Sequence, residues 1–251
     1  MEMSEPLRLQ KFLAQCGLAS RRSAEVMIRQ GRVTVDGIKI TDMGMKITPG
    51  MQVICLDGAP VTLIEKPVTL LLNKPKGYVT TLSDPQGRPI VTSLLQGITA
   101  RVFPVGRLDL DTEGALIMTN DGMLAESIQH PRHEVKKTYE ALVRGRPARS
   151  DLHHLEKGIV LEGKKTYPAS IAIVGKKTQS TLVIVKKMPQ STLVKITIHE
   201  GRKRQVKKMF AAIGNPVLSL KRTAYGQLFL RDLPTGTYRI LSADDLKKIF
   251  L

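Results

Sequence analysis

The sequence predicts an α+β protein: a small N-terminal α/β unit, then a larger domain on a mixed, mainly antiparallel sheet. Three observations carry this. Residues 7–40 switch from helix-period to strand-period patterning around glycine stops. From Leu70 onward, strand-like runs and short helical segments alternate irregularly to the end. Between the two, Gly58-Ala59-Pro60 and Glu65-Lys66-Pro67 bracket a short connector, which divides the chain into 1–62 and 66–251.

Each element has a local cause. Leu9, Phe12, Leu13 and Cys16 fall at helical spacing, and Gly17 supplies a stop. Ser20 can cap a second helix over 21–30, which Gly31 ends. Residues 32–40 alternate around Asp36-Gly37, a strong hairpin signal. Leu70-Leu71-Leu72 then runs as a strand into a turn at Asn73-Lys74-Pro75-Lys76-Gly77. Residues 143–149 and 186–190 read as loops, and 193–199 as a half-buried strand. Val206, Met209, Phe210 and Ile213 mark the buried face of a helix, leaving Lys203, Arg204, Lys207 and Lys208 on its polar side. No internal repeat or low-complexity tract interrupts the pattern.

Composition narrows the function. Apolar residues make up 42% and charged residues 24% of 251 positions, which argues against wholesale disorder and a membrane-spanning class. No apolar run approaches the roughly 20 residues a bilayer helix needs. The start, Met1-Glu2-Met3-Ser4-Glu5-Pro6, has no basic segment leading into an apolar one, so no secretory signal is expected. Cys16 and Cys55 match no metal-ligand spacing. A soluble cytoplasmic protein is the expectation. The 39 basic against 22 acidic side chains give a net charge of +17, and residues 131–251 alone account for +16. Such a field attracts polyanions, nucleic acid above all. A membrane surface is disfavoured, because the cations are dispersed over strand-like segments instead of lining one amphipathic helix. In the second helix Arg22 and Arg29 share a side with Val26 between them, and Lys11, Arg21 and Arg32 add charge nearby. That spacing fits a solvated helix face as well as an RNA contact.

The segment 105–114 concentrates Asp109, Asp111 and Glu113 beside Gly114. A calcium loop fails here, since its twelfth position would be Asn120 and no helix-periodic segment leads in. A carboxylate pair for glycoside-type chemistry and a capped turn with solvated acids both fit the spacing.

Longer motifs add a resemblance. Leu9-Gln10-Lys11-Phe12-Leu13, then Gly17-Leu18-Ala19-Ser20-Arg21-Arg22-Ser23-Ala24-Glu25, then Gly31-Arg32-Val33-Thr34-Val35-Asp36-Gly37 resemble an S4-type RNA-binding domain. The run from Gly106-Arg107-Leu108-Asp109-Leu110-Asp111-Thr112-Glu113-Gly114 to Asn120-Asp121-Gly122 resembles the signature of pseudouridine synthases of the RsuA/RluB type. Asn73–Gly77, Lys137-Thr138-Tyr139 and the basic stretch 199–210 resemble further motifs of that family, in the family's order. His130-Pro131 with Glu134-Val135, and the 199–205 stretch, look closer to the branch acting on large-subunit RNA. Ala115 departs from the leucine common in relatives.

The resemblance implies an isomerase acting on uridine within RNA, without metal or organic cofactor. By the same resemblance Asp109 is the essential carboxylate, Lys207 the cation that keeps it ionised, and Tyr139 the ring that stacks on the target uracil. Lys207 departs from the arginine many relatives carry, giving a point charge in place of a fork. On pattern alone, phosphate contact or solvation suits Lys207 better than a carboxylate pair. Arg107 would fill the space the flipped base vacates or contact the flanking backbone, and Leu110 and Val206 would wall the uracil pocket. Lys11, Arg21, Arg22, Arg29, Arg32, Lys74, Arg202, Lys203 and Arg204 would bind RNA. The implied partner is ribosomal RNA or a pre-ribosomal particle, with no DNA or membrane partner and monomeric action. Rival readings are a non-catalytic RNA-binding assembly factor, a small-subunit enzyme of the same family, and a DNA-binding regulator.

Overall fold

The computed structural model describes residues 5–62, 67–174 and 191–251. The expected loop at 186–190 and residues 63–66 of the connector lie outside these. The chain divides into two compact units. One holds the described residues up to Val68 with Ile98–Val102 and Asn120–Gly122; the other holds the rest.

The N-terminal unit forms where the local signals place it. Strand β1 (Leu7–Arg8) leads into α1 (Leu9–Gln15) and α2 (Arg21–Arg29), the latter capped by the Ser20 hydroxyl, which accepts from the Ser23 N–H at 3.0 Å. Asp36 and Gly37 both take positive φ, 51° and 79°, the requirement of a tight two-residue turn between β2 (Val33–Val35) and β3 (Ile38–Ile40). β4 (Lys46–Ile47) pairs with β1, while β5 (Ile54–Leu56) and β6 (Ala59–Pro60) complete a small sheet in the order β3-β2-β5-β6. Leu9, Phe12, Leu13, Ala24, Ile28, Val33, Val35, Ile47 and Ile54 close its core.

The larger unit is organised by one mixed sheet. Its elements in chain order are β7 (Thr69–Lys74), β8 (Phe103–Pro104), β9 (Thr112–Thr119), α3 (Gly122–Gln129), β10 (Lys137–Arg144) and α4 (Arg149–Glu156). There follow β11 (Val160–Leu161), β12 (Lys164–Lys165), β13 (Ser170–Ile173), β14 (Ser191–Ile198), α5 (Gln205–Ala212), β15 (Val217–Tyr225), β16 (Leu228–Phe229), β17 (Tyr238–Ile240) and α6 (Ala243–Lys248). The strands run β13-β14-β10-β15-β9-β7-β17, with β16 and β8 added to β15 and β9. Along that path β9 and β15 pair in parallel and every other neighbouring pair is antiparallel. The expected mixed, mainly antiparallel sheet is therefore present. Leu71, Ala115, Ile117, Ala125, Ile128, Tyr225 and Leu228 form its principal core.

Two local readings need correction. Residues 143–149 are not one loop, because β10 runs through Arg144 with partners on both sides and α4 opens at Arg149. Two-sided pairing extends the strand beyond what its sequence suggests, and 145–148 alone connect. Ile213 is not part of the helical face; it is the half-buried C-cap of α5, and Gln205, at 3% exposure, joins Val206, Met209 and Phe210 inside.

One glycine sets how closely β9 and β15 approach. Gly114 has φ 107°, and a Cβ there would lie 2.2 Å from the Arg222 carbonyl oxygen and 2.8 Å from its nitrogen. No side chain fits between these backbones. The close approach falls at the start of β9, directly after the acidic loop.

Candidate active site

The acidic loop is held by its backbone. Lys74, at the end of β7, is 0% exposed, and its Nζ donates to the carbonyls of Pro75 (3.0 Å), Asp109 (3.2 Å) and Thr112 (2.9 Å). Gly77 N–H donates to the Leu110 carbonyl at 2.8 Å. The Thr80 hydroxyl donates to the Leu108 carbonyl at 2.8 Å and accepts from the Leu108 N–H at 3.2 Å. Thr112 N–H closes the turn on the Asp109 carbonyl at 3.0 Å. The β7 turn thus grips residues 108–112 and leaves the Asp109 carboxylate projecting from a fixed backbone. Burial pushes the Lys74 ammonium down to about 8, an effect that Asp111, Asp109 and Glu113 partly oppose.

These facts remove Lys74 from the RNA-facing cations. A lysine with no accessible surface and three carbonyl partners has no proton to offer a phosphate. Its part is to position the loop.

Lys207, in the first turn of α5, meets both aspartates. Its Nζ lies 2.5 Å from Asp111 Oδ1 and 3.5 Å from Asp109 Oδ2, with its side chain 12% exposed. The helical spacing suits a solvated cation; the structure makes Lys207 a shared counter-charge. Arg204 Nη2 adds a longer contact to Asp111 Oδ2 at 3.9 Å. Desolvation works against the charge on Asp111, but the Lys207 hydrogen bond and the charges of Lys207 and Arg204 outweigh it, so its carboxyl sits below the ordinary range. Asp109 keeps 34% of its side-chain surface open. The arrangement presents an accessible carboxylate beside a mostly buried cation, able to act as a base or a nucleophile.

The start of α5 is itself braced. Glu200 receives Arg202 Nε at 2.8 Å and Gln205 Nε2 at 2.6 Å, while Gln205 Oε1 accepts from the Arg202 N–H at 3.1 Å. Arg202 also donates to the Lys165 and Lys164 carbonyls, the latter at 2.8 Å. Arg202 is therefore tied into the protein, whereas Lys203 and Arg204 are exposed.

Tyr139 sits on β10, 8% exposed, with Arg222 opposite it on β15 and Gly114 one strand further, opposite Arg222. Arg222 is 3% exposed; its Nε donates to the Ala115 carbonyl at 2.7 Å and its Nη1 to the Tyr139 hydroxyl at 3.4 Å. No hydrogen bond or ion pair joins Tyr139 to Asp109 among the described residues. Arg107 is exposed, Leu110 is 45% exposed, and Val206 is 3% exposed on the buried side of α5. In the N-terminal unit Arg21, Arg22, Arg29 and Arg32 are exposed, and Lys11 is half-buried. Arg32 makes a two-pronged contact to Asp57 at 2.9 and 2.5 Å. Lys74, Thr80, Gln205 and Arg222 were not legible as site-building residues, since each acts through partners 28 or more positions away or through a helix start.

Residues 68–212 match the RNA pseudouridylate synthase family, and residues 7–53 match the S4 domain. The chain belongs to that synthase family and is an isomerase of its class, with an S4 domain ahead of the catalytic fold. It is 44% identical over 242 residues to the ribosomal large subunit pseudouridine synthase B of Bacillus subtilis, covering 96% of this chain and 95% of that protein. It is 35% identical over 246 residues to the ribosomal small subunit pseudouridine synthase A of Escherichia coli, covering 97% and 100%. A crystal structure of a pseudouridylate synthase superposes with a TM-score of 0.66 at 31% identity, covering 97% of this chain and 99% of that one. Among the described residues no helix is long and apolar enough to cross a membrane, and no three His, Cys, Asp or Glu side chains are grouped to hold a metal.

Proposed function

We propose that this chain converts one uridine of ribosomal RNA, in the large subunit, to pseudouridine, with Asp109 as the essential carboxylate. The observation that carries the reading is an accessible Asp109 carboxylate, 3.5 Å from Lys207, on a loop whose backbone Lys74, Gly77 and Thr80 fix. The reaction cleaves N1–C1′ and joins C5 to C1′; N1 gains a proton and C5 releases one, so the change is an isomerisation. The target nucleoside must leave its stack to reach the carboxylate. Tyr139 then offers a ring for the uracil, Leu110 and Val206 wall the pocket, and Arg107 takes the vacated space. The large-subunit assignment follows the higher identity to the large-subunit relative, 44% against 35%.

The S4 domain, within residues 1–62, selects the RNA through Lys11, Arg21, Arg22, Arg29 and Arg32, and residues 66–251 hold the reaction centre, where Lys203 and Arg204 add RNA contacts and Arg202 braces the start of α5 beside them. The enzyme works as a cytoplasmic monomer on free or assembling ribosomal RNA. Ribosomal RNA labelled with tritium at uridine C5 tests this: the purified enzyme should release one tritium per modified site, from large-subunit RNA. Release from small-subunit RNA alone would reassign the target, and no release from either would end the assignment. A chain lacking residues 1–62 should fold and lose RNA selectivity, read as at least a roughly tenfold rise in KM. A truncated chain that cannot fold would contradict that boundary.

A further inference from the structure

Away from the carboxylates, the segment after β12 displays an aromatic side chain to solvent on a firmly held backbone. Tyr167 is 54% exposed and its ring lies 4.8 Å from that of His199, tilted by 56°. Thr166, the residue before, is 3% exposed; its N–H donates to the Ile159 carbonyl at 2.8 Å and its hydroxyl accepts from the Ile159 N–H at 3.0 Å. Gly158 packs so closely that a Cβ there would lie 2.3 Å from the Thr166 carbonyl. Tyr167 N–H is held by Glu200 Oε1 at 2.9 Å, the same carboxylate that receives Arg202 and Gln205.

An exposed ring on a slack loop would lose conformational freedom when a partner binds it. Here its backbone is ordered before any partner arrives, so little conformational freedom is left to lose on binding. The surroundings are cationic: Lys164, Lys165 and Lys203 are exposed, and Lys137 Nζ lies 3.5 Å from the His199 carbonyl. Both nearby acids are already paired, Glu162 to Lys208 at 2.6 Å and Glu200 to Arg202 at 2.8 Å. A ring beside lysines suits a nucleobase attached to phosphates better than it suits a protein side chain.

We propose that the exposed Tyr167 ring, backed by His199, forms a stacking platform for one unpaired base of the RNA flanking the target nucleotide. This deepens the RNA-modifying reading and rests on it. Glu200 joins the platform to the start of α5, and Lys207 in that helix touches both aspartates. A base seated on Tyr167 would therefore set the register in which the next nucleotides reach Asp109.

The test uses the full chain in an Asp109→Asn background, so that RNA binding is read independently of turnover. Adding Tyr167→Leu should weaken binding to an unmodified ribosomal RNA fragment by about tenfold, whereas Tyr167→Phe should stay within about threefold of the parent. The slope of binding against salt should be unchanged by either, because no phosphate contact is removed. In the active enzyme Tyr167→Leu should raise KM by the same factor and change kcat much less. Equal loss from Leu and Phe, or none from Leu, would overturn the platform. If Tyr167→Leu does not fold, RNA carrying 5-iodouridine beside the target supplies a second reading with the unsubstituted Tyr167. A photoadduct on Tyr167 or His199 supports the proposal, and adducts confined to other residues refute it. A parent protein that binds no ribosomal RNA would instead defeat the underlying functional reading.

Discussion

Replacing Lys74 by methionine separates loop positioning from folding. Methionine has nearly the same length and shape, so the 0% exposed site is left without a cavity. Three carbonyls, of Pro75, Asp109 and Thr112, lose a donor. The Asp109 carbonyl keeps the Thr112 N–H, so two acceptors bear most of the loss, about 1–3 kcal/mol each. Against this stands the relief of no longer burying an ammonium. Its fall to about 8 from 10.5 corresponds to about 3.5 kcal/mol at about 1.4 kcal/mol per unit. The opposing contributions leave a net loss of no more than about 3 kcal/mol, a drop in Tm on the order of 10 °C or less. Activity should respond far more, because Asp109 would lose the tether that fixes its backbone, and a displacement of about 1 Å can cost about 100-fold. Single-turnover tritium release and thermal melts of the purified variant measure the two effects together. A melt that collapses would make Lys74 a folding element, and an unchanged rate would refute its positioning role.

The pH dependence of the same variant fixes the sign. The folded state holds the Lys74 proton less tightly than the unfolded chain, so between about pH 8 and 10.5 the unfolded state binds more protons. Wild-type stability should accordingly rise with pH in that window relative to Lys74→Met, measured by denaturant melts, and a falling difference would contradict the burial argument. Gly114→Ala should cost about 3 kcal/mol or more, because its methyl would meet the Arg222 backbone at 2.2 Å with φ at 107°. Urea melts test this, and wild-type stability would disprove the close strand approach. Lys207→Gln should lower kcat by about 10- to 100-fold with the salt slope of RNA binding unchanged, since Lys207 contacts two carboxylates at 2.5 and 3.5 Å. A changed slope with normal kcat would make Lys207 a phosphate contact.

Local chemistry made much of the fold readable. Ser20 caps α2, Asp36-Gly37 turns the hairpin, and Leu70–Leu72 runs as a buried strand, because each depends on neighbours a few residues away. The candidate carboxylate was legible only through the resemblance of Gly106–Gly114 to a family signature, since three acids in one loop fit a capped turn equally well, and the close strand contact at Gly114 emerges only in the fold. Long-range pairing hid the rest. In Asn73-Lys74-Pro75-Lys76-Gly77 two lysines look alike, yet Lys74 is enclosed by carbonyls up to 38 positions away and Lys76 instead donates to the Ser219 hydroxyl at 2.9 Å. Arg222 alternates with the buried Leu220 and Ala224, yet nothing nearby shows how a buried charge is satisfied, because its partners arrive with the parallel pairing of β9 to β15 and with Tyr139 across the other edge. The 2.5 Å contact from Lys207 to Asp111 likewise joins residues 96 apart.

Isotope release by Asp109→Asn decides whether this carboxylate is the reaction centre. The substitution keeps the shape of the side chain and removes its charge and basicity, while the carbonyl held by Lys74 and Thr112 is untouched. C5-tritiated ribosomal RNA should therefore be bound with affinity within a few-fold of wild type and should yield no label above background. Release at the wild-type rate from the asparagine variant would contradict the assignment outright.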